Sequence, residues 1–158
     1  MAHVVETRVR ALANDAIVPV DADDGLPLDA RALLALLACC YTCQIYRSVD
    51  VAAAIRRDVT FRDRCLGGAP SARTVRRFRR KNRGVLHVCL VAGLRVLAEQ
   101  KLEAGVIGRI CDTSLQEEAR RRIITAMFID SMELDREQTT EVPTEMGYLF
   151  AKRDRSGH

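Results

Sequence analysis

Between Asp29 and Gln44 the chain reads DARALLALLACCYTCQ. Wound as a helix, this stretch sets Leu33, Leu34, Leu36, Leu37 and Cys40 on nearly every side. Such a helix is stable only when buried at the centre of a fold, so the rest of the chain must wrap it. Asp29 stands where an N-cap belongs. Aromatic residues make up 4% of the chain and Trp is absent, so the core must come from Leu, Val, Ile and Ala. That composition suits helices.

The flanking segments read as further helices. Val4 to Ala13 fits a short helix or strand. The loop VPVDADDGLPL follows, broken by Pro19, Gly25 and Pro27. Ser48 can cap a second helix, Val49 to about Asp58, with Val51, Ala54 and Ile55 inward. Gly67, Gly68 and Pro70 mark a turn, and Ser71 caps a basic helix that ends or bends at Asn82–Arg83–Gly84. Leu86, Leu90, Leu94 and Leu97 give Val85 to about Ala104 a helical period, which Gly105 and Gly108 break. Ser114 and Glu117 have capping-box spacing and open a helix to about Met132, with an apolar stripe of Ile123, Ile124, Met127 and Phe128. The last stretch, with Pro143, reads as irregular or frayed. The expected fold is all-α: a compact bundle of about five or six helices with a helix-turn-helix-like basic helix. The expected parts are an N-terminal extension over 1–28, a helical core over 29–104, and a C-terminal helix with tail over 105–158.

The charge is unevenly placed. The net charge is only +4, yet Ile45 to Arg83 holds twelve Arg or Lys against three Asp, while from Gly84 onward ten basic residues face twelve acidic ones. Such asymmetry points to a polyanionic partner. On a helix from Thr74 to Arg83, Val75, Phe78 and Asn82 share one face, and Arg73, Arg76, Arg77, Arg80 and Arg83 gather opposite. Like charges at i,i+4, as in Arg73–Arg77 and Arg76–Arg80, repel. Duplex DNA would cancel that field; so would solvent, or acidic residues brought in by the fold. Twenty-two of the 25 basic residues are Arg, the residue suited to bidentate phosphate and guanine contacts, although coding bias yields the same excess.

Residues 29–82 resemble the N-terminal helical domain of bacterial insertion-sequence transposases with a DDE catalytic core. The resemblance rests on Asp29 before Leu33, Leu34 and Leu37; on Tyr41 or Tyr46 with Ser48; on Val59, Phe61 and Arg62; on Leu66, Gly67, Gly68 and Pro70; and on Thr74, Val75, Phe78, Arg79 and Arg80. It implies binding to double-stranded DNA at the terminal inverted repeats of a mobile element, and oligomerisation with itself or with an intact transposase. Arg73, Arg76, Arg77 and Arg80 are then expected at phosphates or guanine edges, with Arg83 at the helix end. Arg56, Arg57, Arg62 and Arg64 would flank them on the DNA backbone.

The resemblance weakens downstream. Asp112 and Asp130 are the only remnants of a first catalytic aspartate, and the 46 residues after Asp112 show no alternating strand and helix pattern to carry a DDE core. The expectation is a truncated transposase-type DNA-binding protein, not catalytic alone and with no cofactor. Asp130, Glu133, Asp135, Glu137 and Glu141 read as a solvated helix end. Cys40-x-x-Cys43 lacks the second half of a zinc site, so no metal is expected. No apolar stretch reaches the ~20 residues of a membrane span and no signal-peptide core is present, which suggests a cytoplasmic protein. The alternatives are a helical protein-interaction or dimerisation module with a basic face, or a decayed transposase fragment.

Overall fold

The structure, a computed structural model, describes residues 1–57, 59 and 69–141, with side chains as far as Asp135. It is all-helical among these residues, with six helices and no strand: α1 (Ala2–Arg10), α2 (Ala30–Thr42), α3 (Ser48–Arg57), α4 (Ala72–Lys81), α5 (Arg83–Glu103) and α6 (Asp112–Glu141). The bundle matches the expected all-α class. The Gly67–Gly68 turn, Arg62, Arg64, Cys65 and the tail from 142 lie outside the described residues.

α2 is central, as its all-round apolar surface requires. Leu33, Leu34, Leu37, Ala38 and Tyr41 are fully buried, and the helix packs against α1, α5 and α3. Asp29 caps it as expected, its carboxylate accepting the N–H groups of Arg31 and Ala32 at 3.0 Å. α1 resolves the ambiguity of the N-terminus. It is a helix with Val5 and Val9 buried, resting on α2 and α5. The tightest crossing is at Gly93 of α5, where a Cβ would stand 2.5 Å from Thr42 Oγ1 and 3.3 Å from Val5 Cγ2. Only glycine lets α5 come this close to α2 and α1.

Two arginines close helix ends. Arg31 donates to the Val9 and Leu12 carbonyls at the C-terminus of α1. Arg122 of α6 donates to the Tyr41 and Thr42 carbonyls, each at 2.7 Å, at the C-terminus of α2. Both satisfy carbonyls that a helix end leaves open, with the favourable sign of charge. α2 then turns through Gln44 at φ 63°, and the Ile45 N–H returns to the Cys40 carbonyl.

α6 differs from its expected bounds, beginning at Asp112 rather than Ser114 and running to Glu141. His87 bonds the Gln116 carbonyl and Arg95 pairs with Asp112, so α6 returns along α5 in the opposite sense. Its apolar stripe splits. Ile123 and Ala126 join the core, whereas Ile124, Phe128 and Met132 are 57%, 63% and 42% exposed. Among the described residues no helix is long and apolar enough to cross a membrane.

Candidate nucleic-acid interface

α4 forms because Ser71 caps it and because Val75 and Phe78 give it an anchor. The Ser71 hydroxyl oxygen accepts the Thr74 N–H at 3.1 Å, and Val75 and Phe78 are fully buried. α4 packs on α3 and α5. Its end is a single-residue joint. Asn82 lies between α4 and α5, and its side chain accepts the Val18 N–H at 2.7 Å and donates to the carbonyls of Val18 and Phe78. The inward face of Val75, Phe78 and Asn82 is therefore as the projection predicts.

The arginines divide into three groups. Arg73, Arg77, Arg80 and Arg83 are exposed and Arg76 is half-buried. Near the start of α4 the charge meets the acidic loop before α2. Arg77 donates to the Asp21 carbonyl, and Thr74 donates to Asp23 at 3.0 Å. Hydrogen bonds from Ser71 and then Thr74, with Arg73 and Arg77 nearby, hold the Asp23 carboxyl below its ordinary 3.8. The fold itself thus offsets this end of the stripe. Toward the end of α4 it does not: among the described residues no carboxylate pairs with Arg76, Arg80 or Arg83. Those three line a cavity of about 170 Å³ between α4 and α6, and Arg76 Nη1 is buried without an acceptor. Arg56 and Arg57 are exposed at the end of α3, but Arg57 lines a separate groove with Tyr46, Asp50 and Ile129.

Arg79 forms the third group, and it points inward. Its guanidinium pairs with Asp130 of α6 and donates to the Tyr41 hydroxyl at 2.8 Å. Burial pushes the Tyr41 hydroxyl up to about 12, which keeps it a neutral partner. Asp130 is 2% exposed, and it also accepts the Ser48 hydroxyl at 2.6 Å and the Ser48 N–H at 3.1 Å. Two expectations change here. Asp130 is no solvated helix-end residue, and Glu133 beside it pairs with Arg47. Ser48 does not cap α3: it is the first residue of the helix, the Arg47 carbonyl accepts the first helical bonds, and a carboxylate from a distant helix takes the Ser48 N–H, where the helix dipole favours negative charge. A sequence signal for this exists. Asp130 continues the buried series of Ile123 and Ala126 at helical spacing, and a carboxylate on such a stripe needs a partner.

The remaining candidates fall apart in space. Asp112 opens α6 and Asp130 lies eighteen residues on, so about 27 Å of helix rise separates them. They do not share a site. Cys40 is buried and Cys43 exposed, and burial pushes the Cys40 thiol up to about 12. Among the described residues no group of three or more His, Cys, Asp or Glu is placed to hold a metal ion. The chain matches no protein-family model, and neither a curated protein nor a solved structure matches it.

Proposed function

We propose that the protein binds duplex DNA through the end of α4 and the start of α5, in the manner of a transposase end-binding domain without its catalytic core. The observation that carries this reading is the group of Arg76, Arg80 and Arg83, which line one cavity between α4 and α6 and pair with no carboxylate among the described residues. Acidic residues stand by Arg73, Arg77 and Arg79, and among the described residues none pairs with Arg76, Arg80 or Arg83, which leaves a field for an outside polyanion. The pairing of α3 with a basic α4 suits a helix-turn-helix reader. The resemblance of residues 29–82 supplies the target, the terminal inverted repeats of a mobile element, and suggests association with intact transposase.

The test is a titration of the full chain with duplex DNA at several salt concentrations. Each phosphate contact adds about −0.9 to the slope of log K against log salt. Arg80→Glu with Arg83→Glu, both at exposed positions, is expected to flatten that slope by about 2 while leaving helicity unchanged. Equal affinity of wild type and variant at low salt would refute this choice of face. Tighter binding to inverted-repeat DNA than to scrambled DNA supports the transposon target.

A second reading has its own observation. Ile124, Phe128 and Met132 form an exposed stripe at i, i+4 and i+8 on α6, the geometry of a helix-pairing seam. In that reading the protein is a protein-interaction module, and sedimentation of wild type against Phe128→Asp decides whether the stripe joins chains.

A further inference from the structure

We propose that the cavity between α4 and α6 is an oxyanion site that takes one phosphate group, held by Arg76, Arg80 and Arg83. Arg79 also reaches the cavity wall, but its charge is already matched by the buried Asp130. The other three guanidiniums are matched by no carboxylate among the described residues. The buried, acceptor-less Nη1 of Arg76 is the sharpest sign. A buried donor without an acceptor is costly, and the ones that persist mark a missing partner. The partner must be an acceptor and, among three cations, an anion. The two described carboxylates nearest the cavity are already engaged, Asp130 by Arg79 and Ser48, and Glu133 by Arg47.

Geometry limits the ligand. The cavity volume of about 170 Å³ far exceeds the ~10–15 Å³ that admits one water, and it has room for a tetrahedral oxyanion with part of its hydration. Arg76 on α4 and Arg83 at the start of α5 reach this cavity from either side of the Asn82 joint. Arg80 falls between them. Three forks at one cavity suit an oxyanion with several acceptor oxygens better than a single carboxylate. Arg83 is also the first residue of α5, whose start carries no side-chain cap. Met127 and Leu134 form the apolar part of the wall and limit water around the anion.

The ligand is a phosphate group, whether a phosphodiester of a nucleic acid backbone or a free phosphate species. The site does not depend on the duplex reading, because a free anion would fill it without DNA. Inorganic phosphate is titrated into the full chain at constant ionic strength, with chloride as the reference, and the thermal unfolding midpoint is followed. A rise with phosphate beyond that with chloride is expected, growing with the logarithm of concentration. Arg76→Gln and Arg83→Gln should each weaken phosphate at least tenfold, while Arg10→Gln, on α1 and away from the cavity, should not. Arg83 is exposed, so its variant keeps the fold even if Arg76→Gln loosens it. No rise above chloride in the wild type overturns the proposal, and so does an undiminished response in both cavity variants. Competition against labelled duplex then separates the sources. Displacement by phosphate assigns the site to a backbone phosphodiester; phosphate binding without displacement, or without any duplex binding, assigns it to a free phosphate group and counts against the duplex reading alone.

Discussion

Asp130 carries three hydrogen-bonding duties with one carboxylate, joining α6 to the start of α3 and to Arg79 of α4. Removing one partner of a buried ion pair leaves the other charge stranded, which costs about 3–5 kcal/mol. Asp130→Ala is therefore expected to lower stability by about that amount in urea unfolding. The double variant Arg79→Met with Asp130→Leu should recover much of the loss, since no charge is then left buried; a double variant as weak as the single would show that the Ser48 cap matters more than the pair. Gly93 makes the opposite demand, for nothing where a Cβ would stand. Gly93→Ala gains about 1 kcal/mol of helix propensity and loses more to the overlap with Thr42 Oγ1. A net destabilisation of about 1–2 kcal/mol is expected in the same measurement.

α4 is the element on which function is proposed, and its two ends differ in kind. At its start, the loop from Asp21 to Asp24 lies against Ser71, Thr74 and Arg77. The Asp23 carboxyl has a lowered value in the folded chain, so its contribution to stability is present above the unfolded value and is lost as pH falls through the folded one. Stability should thus decline below about pH 4, and Asp23→Asn should decline less steeply there. A wild type and variant with parallel acid limbs would remove this tether. At its far end, α4 carries Arg80 and Lys81 and borders the cavity, with no carboxylate paired to Arg76 or Arg80 among the described residues. The helical projection of α4 was legible in the sequence, because Val75, Phe78 and Asn82 recur at the period of a helix. Arg79 was legible too: it stands about 40° from Val75 on the same projection, on the inward side. Counting it as one more surface charge hides this, since charge pattern alone does not show that a carboxylate waits fifty-one residues later.

At the scale of the whole molecule, what a sequence shows best is what is local. Caps at Asp29 and Ser71, the central α2 and the long α5 follow from short-range pattern. Contacts between distant segments do not, and the Arg122 closure of α2 and the Asp130 network both come from α6. They bind the first, middle and last thirds of the chain into one core that runs from Val5 to Ala126. A chain ended after Gly108 would leave Arg79 buried without its partner and the end of α2 open. It is expected to lose its cooperative unfolding transition, as judged by the steepness of the urea curve; a sharp transition in that fragment would show that α6 is dispensable. The arginine content likewise divides by use. Arg31, Arg79 and Arg122 serve the chain's own carbonyls and carboxylate, so only part of the arginine excess is free to meet a partner.

The joint at Asn82 also decides how this chain can change in length. One residue separates α4 from α5, and the Asn82 side chain ties that residue to Val18. Substitutions on the outer face of α4 leave the phase between the two helices untouched. A single insertion or deletion between Phe78 and Leu86 shifts that phase by about 100°, turning Val75 and Phe78 outward and a guanidinium into the space they filled. The outer surface of α4, on which binding is proposed, can change in chemistry without disturbing that phase, while the spacing at the joint cannot change without shifting it.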